Sequence, residues 1–150
     1  MADLSRISAA YQGSDPYIFI SYAHRDADRV LPIVERLLAG GCRVWFDVGI
    51  IPGKPWDDNI ADQLRGSACV LCFVSAAYLA STNCRDEISM ARAERKKMAL
   101  IYLEDVELTP GMLLRYNRLQ ALFRHKTEEA VFYEKLFAVD GLSETKEGCV

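Results

Sequence analysis

The sequence predicts an α/β domain: a flavodoxin-like, doubly wound, five-stranded parallel sheet in the order 2-1-3-4-5. Three observations carry this. Apolar runs of strand length alternate with segments whose apolar residues recur every three or four positions. The run ACVLCFVS (68–75) is apolar almost throughout, as a central parallel strand covered on both faces must be. And 150 residues suit one domain with a substantial core.

Taken in order, YIFISY (17–22) is the first strand. In the helix that follows, Val30, Ile33, Val34, Leu37 and Leu38 share a face. Pro32 is expected near its start, where a missing N–H is tolerated, and Gly40-Gly41 ends it. CRVWFDV (42–48) is the second strand, and GIIPGKP is a loop in which Pro52-Gly53 suits a type II turn. WDDNIADQLRGS (56–67) is an amphipathic helix with Trp56, Ile60 and Leu64 on one face. ACVLCFVS is the third strand and AAYLAST a loop. Asn83 is the expected N-cap of a helix reaching Lys97, with Asp86 supporting the helix start from the capping-box position. MALIYLE (98–104) is the fourth strand, Thr109-Pro110-Gly111 opens a short helical segment, and RLQALFR (118–124) is the fifth strand. TEEAVFYEKLFAVD (127–140) closes the domain as a helix capped by Thr127. Residues 1–16 read as a flexible lead-in, 17–140 as the folded domain and 141–150 as a polar, frayed tail.

Composition narrows the function. The hydrophobic fraction is 51%, the charged fraction 26% and the formal net charge −3, with no basic stripe, so nucleic acid is not expected as a partner. No apolar run is long enough for a bilayer, and the N-terminal stretch lacks the apolar core of a signal peptide. Neither a membrane partner nor export is expected. The five cysteines, an odd number, read as reduced thiols of a cytoplasmic protein. Cys69 and Cys72 stand three apart on a strand, so they point to opposite faces and read as core residues. Two isolated histidines, His24 and His125, make no metal site, and no cofactor is expected.

In an open parallel sheet, ligands gather at the carboxyl ends of the strands, near the switch between strands one and three. The segments SYAHRD, GIIPGKPW and STNCRDE leave strands one, two and three and should meet there. With Asp47 at the end of strand two, they offer Ser21, Tyr22, His24, Arg25, Trp56, Asn83 and Glu87. A phospho-acceptor receiver domain shares the fold but needs clustered acids at the end of strand one to bind magnesium. SYAHRD does not provide them.

The motifs YIFISYAHRD, VWFDVGIIPGKPW and IADQLRGSACVLCFVSAAYLASTNCRDEISMA, followed by IYLEDVELTPG and RLQALF, come in order over residues 17 to 138. Together they resemble a Toll/interleukin-1 receptor (TIR) domain of bacterial type. That resemblance implies one of two functions. Some TIR domains are non-catalytic interaction modules that signal by self-association, with other TIR domains among their partners. Others cleave the nicotinamide–ribose bond of NAD+, in signalling or innate defence, when self-associated. In the enzymatic members an essential glutamate lies early in the helix after the third strand, which Glu87 matches. Many of them carry tryptophan four residues earlier, where this chain has Asn83. The PG-turn loop mediates self-association in the family, so Ile50, Ile51, Pro52 and Gly53 become interface candidates. Two large apolar side chains in a loop fit that role or fold back over the sheet edge.

The chemistry needs one carboxylate. Glycosidases commonly use two, one of them an acid for the leaving oxygen. The nicotinamide of NAD+ is a pyridinium and leaves as a neutral base, so no acid is required. A preorganised Glu87 would stabilise the cation that develops on the ribose. Ser21, Tyr22, Arg25, Asp47, Trp56 and Asn83 are the candidates for binding NAD+ as substrate. Arg25 suits a solvated surface or a phosphate, and the Trp56 indole suits either the cationic ring or a core anchor beside Ile60 and Leu64. Asp47 suits either substrate or the neighbouring loops. The competing role for Glu87 is a helix-start acid stabilised by the helix dipole.

Overall fold

The computed structural model describes residues 13–47 and 56–147, the side chains of 56–59 excepted. Five parallel strands form one sheet in the order β2-β1-β3-β4-β5: β1 Ile18–Ser21, β2 Val44–Phe46, β3 Cys69–Val74, β4 Lys97–Tyr102 and β5 Gln120–Phe123. The fold is the predicted one. The inner strands are short apolar runs whose alternate side chains enter two separate cores. Ile18, Ile20, Cys69, Leu71 and Phe73 meet the first helix, α1 Ala27–Ala39, and the last, α6 Glu129–Phe137. Phe19, Val70, Cys72 and Val74 meet α2 Trp56–Gly66, α3 Ala76–Ala80, α4 Thr82–Ala93 and α5 Pro110–Tyr116. Cys69 and Cys72 thus fall on opposite faces as expected, both fully buried.

Helix ends follow local chemistry. After α1, Gly41 takes φ +87° while Cys42 N–H donates to Leu37 O at 3.0 Å and Gly41 N–H to Leu38 O at 3.0 Å. This double bond is a Schellman stop. Pro32 differs from expectation. Because α1 begins at Ala27, Pro32 stands inside the helix and removes one ladder bond. In α4 the same stop is made without glycine. Arg95 takes φ 55°, and Lys96 N–H reaches Ala91 O at 2.9 Å, so the helix ends at Ala93 and not near Lys97. AAYLAST is not a loop, because Ser75 Oγ accepts from Tyr78 N–H at 3.0 Å and starts α3. Thr127 does not cap α6, which begins at Glu129 after the turn Arg124–Lys126.

The stretch after Gly141 is also better ordered than a polar tail. Leu142 is fully buried, and Thr145 Oγ1 donates to Leu142 O at 2.6 Å. Arg43 N–H donates to Thr145 O at 2.8 Å, and Lys146 bridges antiparallel to Cys42. The segment through Glu147 therefore seals the core beneath β2. Among the described residues, no helix is long and apolar enough to cross a membrane. Leu142→Ala should cost about 2–5 kcal/mol of unfolding free energy in a urea titration, the usual loss for a buried leucine. A cost under about 0.5 kcal/mol would return this segment to the status of a loose tail.

Candidate active site

The site forms where β1 and β3 end and the chain turns to opposite faces. Ser21 is the last residue of β1, paired in register with Cys72 and fully buried. Its hydroxyl donates to Glu87 Oε1 at 2.6 Å and lies 2.8 Å from the Tyr78 hydroxyl. Glu87 is the sixth residue of α4, so it sits one turn and a half into the helix.

That position separates Glu87 from helix capping. The N-cap of α4 is Ser81, whose Oγ accepts from Cys84 N–H at 3.2 Å, and the first turn holds no acidic residue. Asn83 is therefore not the cap, and Asp86 does not support the helix start. The cause is the order of competing hydroxyl and amide groups in STN: Ser81, following α3 directly, takes the cap first. With dipole stabilisation removed, Glu87 is explained by its partner on β1 and by the cavity it faces.

That cavity is an open cleft of about 350 Å³, lined among others by Tyr22, His24, Arg25, Asp47, Asn83 and Glu87. A second, more apolar cavity of about 250 Å³ lies between α2 and α4, lined by Ile60, Leu64, Met90 and Asp86. Glu87 and Asn83 border both. Glu87 and Asn83 thus form the wall between the two cavities.

The other candidates divide by role. Tyr22 is buried and its hydroxyl donates to Asp47 O at 2.7 Å, which ties the end of β2 to β1. Burial first, then the Asp47 and Glu87 charges, push its phenol up to about 12. His24 Nε2 lies 3.2 Å from Asp47 Oδ2. The hydrogen bond to Asp47 raises the His24 pKa against the opposing effect of burial. Arg25 and Asn83 are exposed at the cleft wall. Trp56 opens α2 through its backbone, but its side chain and the loop with Ile50, Ile51, Pro52 and Gly53 lie outside the described residues. Tyr78 escaped the sequence reading as a site residue: it stands in a stretch expected to be a loop, although Ser75 three residues before it is a cap signal. His24, expected at the cleft, meets Asp47 and the Tyr22 ring there. Among the described residues, no group of three histidine, cysteine or acidic side chains could hold a metal ion.

Glu87 is electrostatically unusual. Burial pushes its carboxyl from the ordinary 4.5 up to about 7; Ser21 opposes the rise, Asp47 adds to it, His24 opposes it and Asp86 adds to it. Taking an ionised carboxylate out of water is the dominant cost here.

The sheet order and the cleft at its switch point define a doubly wound α/β domain of the flavodoxin-like class. The family described as TIR domain matches residues 18–137, and the chain belongs to that family. It is 27% identical over 120 residues to mouse (Mus musculus) Toll-like receptor 12, covering 71% of this chain but only 13% of the receptor's length. Among solved structures, it is similar to the TIR domain of the Toll-related receptor TRR-2 from Hydra magnipapillata. There the TM-score is 0.69 at 20% identity, over 81% of this chain and 94% of that one. It is also similar to the CMP N-glycosidase BcmB of Clostridium botulinum, with TM-score 0.59 at 18% identity, over 81% of this chain and 98% of that one. The TIR domains of the activated Roq1 resistosome follow at TM-score 0.52 and 17% identity, over 82% of this chain and 71% of that one. At these identities the structural matches share the fold.

The raised Glu87 pKa has a stability consequence. The folded state holds an extra proton between the ordinary 4.5 and about 7, so stability falls as pH rises through that window and levels off above it. Glu87→Gln keeps the shape without the charge. It should be more stable than the parent at pH 8 by about 2 kcal/mol, with the gap closing by pH 4. Urea titrations at the two pH values read this directly. An equal gap at both would mean that the carboxylate is not desolvated.

Proposed function

We propose that this TIR domain is an NAD+ glycohydrolase that releases nicotinamide and leaves ADP-ribose or a cyclised product. It acts in self-associated form, in cytoplasmic signalling or defence. The observation that carries the reading is the Glu87 carboxylate at the switch-point cleft, held by Ser21 at 2.6 Å and excluded from the helix cap.

The chemistry follows from that geometry. As the C–N bond to nicotinamide breaks, positive charge grows on the ribose and the base departs neutral. Glu87, fixed by Ser21 and half-buried at the cleft, meets that charge with little reorganisation. Only its ionised form does so, and with a pKa near 7 that form grows through the neutral range. Arg25 and His24 offer cationic groups to the substrate's phosphates at the cleft wall. Water or a hydroxyl of the substrate then takes the ribose carbon. A CMP N-glycosidase has a similar fold, so CMP belongs in the same assay as a second N-glycosidic substrate.

The alternative reading is a non-catalytic interaction module. It is favoured by Leu113 and Leu114 on α5, 52% and 79% exposed, which are apolar surface available for contact.

The test is nicotinamide release from NAD+ by concentrated protein, with products identified by chromatography. Glu87→Gln should lower the rate by about two to three orders of magnitude, the usual loss for one preorganised electrostatic group. The parent rate should climb with pH through about 7, following the ionised carboxylate. No release of any base from NAD+ or CMP would leave the interaction module as the function. Equal rates for parent and Glu87→Gln would remove Glu87 from the chemistry.

The assembly part of the reading has its own check. Ile51→Asp should weaken self-association in sedimentation and lower the rate in parallel, while the unfolding midpoint stays unchanged. Unaltered association would remove this loop from the interface.

A further inference from the structure

Ser21 has one hydroxyl hydrogen and two close partners. Glu87 Oε1 is at 2.6 Å and the Tyr78 hydroxyl at 2.8 Å. A bond to an ionised carboxylate outweighs one to a neutral phenol. With Glu87 ionised, the Ser21 hydrogen is committed to it, and the Tyr78 hydroxyl must therefore donate to Ser21. Tyr78 is 1% exposed, so no water offers it another acceptor. Behind it lies Cys72, fully buried, whose thiol interacts electrostatically with the phenol.

The two directions of this chain are unequal. With Glu87 ionised, the donors run Tyr78 to Ser21 to carboxylate and end on a charge. With Glu87 protonated and donating to Ser21, the chain reverses, and the Tyr78 hydrogen must turn to the Cys72 sulfur. Sulfur is a weak acceptor. We infer that Tyr78 is a positioning residue: by donating to Ser21 it directs the Ser21 hydrogen onto Glu87, favouring the ionised carboxylate and fixing the oxygen that faces the cleft. The effect on turnover rests on the NAD+ reading, whereas the hydrogen-bond order does not.

Other titratable groups also act on Glu87: Asp47 and His24 across the cleft, Tyr22 just after β1, Cys72 on β3, and Asp86 and Cys84 on α4. From α2 the facing side chains are the apolar Ile60 and Leu64. None of these is replaced when Tyr78 is altered, so a change in the titration of Glu87 isolates the Tyr78 contribution.

The experiment is a carbon-13 NMR titration of the Glu87 carboxyl, assigned by its loss in Glu87→Gln. Tyr78→Phe should raise the midpoint by about half a pH unit, as expected from losing one cooperative bond in the chain. Ser21→Ala should raise it further, by about one to two units, through loss of the direct bond to the charge. Placing 3-fluorotyrosine at position 78 makes the phenol a stronger donor without removing it, and should lower the midpoint. If Tyr78→Phe does not fold, the fluorinated protein carries the test alone. The pH profile of nicotinamide release should move in the same direction in each case, with kcat affected more than KM. An unchanged Glu87 midpoint in the Phe and fluorotyrosine proteins would overturn the inference and leave Tyr78 a packing residue. Absence of nicotinamide release by the parent would defeat the NAD+ reading only, since the carboxyl titration still decides the role of Tyr78.

Discussion

The hydroxyl of Ser21 is the point where three elements of the site are fastened together. It belongs to β1, touches the phenol of α3 and the carboxylate of α4, and lies beyond the reach of water. A buried hydroxyl must have its bonds made inside the protein. The placement of Tyr78 and Glu87 is constrained by that need. Tyr78 in turn is set by Ser75, whose Oγ starts α3 while donating to the buried Asp26 at 2.5 Å. Asp26 is paired with Arg29 at 2.6 Å, and Arg29 with Glu104 at 2.7 Å. Glu104 also accepts from Ala76 N–H at 3.1 Å, at the first residue of α3. Two polar clusters therefore form a network over the carboxyl ends of β1, β3 and β4, and they meet at Tyr78, which bonds Ser21 through its phenol and Ser75 through its backbone N–H.

The network explains how a short helix of five residues can position anything. Alone, such a helix is unstable, because nucleation costs more than one turn returns. Here Ser75 caps its start, Glu104 holds its first amide and Tyr78 anchors it in the core. The same arrangement keeps the Glu87 oxygen near one place while the cleft stays open. The local order is achieved against the solvation preference of the carboxylate. Strain of that kind persists only where surrounding bonds over-determine the geometry.

The sheet was legible in the sequence because a parallel sheet covered on both faces leaves a plain record. Short apolar runs such as ACVLCFVS are separated by helical periodicity, and that is enough to order five strands. The location of Glu87 followed from the same logic, since switch points lie at strand ends. Local competition was less visible. Ser81, Thr82 and Asn83 all suit a helix start, and only the preceding helix decides that Ser81 caps. Arg95 ends α4 in a conformation normally left to glycine, so composition gave no sign of the stop. Tyr78 and His24 are functional candidates through partners 57 and 23 residues away, Ser21 and Asp47, and no local pattern reports such contacts. The segment after Gly141 looked polar because its single large apolar residue, Leu142, is outnumbered, although that residue is the one that packs.

The four buried thiols add a property of a different kind. Cys42, Cys69, Cys72 and Cys84 are all unpaired and all shielded by the two cores. Burial pushes Cys69 and Cys72 up to about 12 and Cys84 up to about 11. Thiolate is the reactive form, so these four thiols present almost none of it to an oxidant or alkylating reagent while the fold is intact. Reaction must wait for the structure to open. Because Cys69 and Cys72 face opposite sides of the central strand, and Cys84 of α4 shares the core of Cys72, the thiols would record the opening of the two layers separately. The order in which these sulfurs are modified would be a map of how the domain comes apart, written by the protein's own side chains.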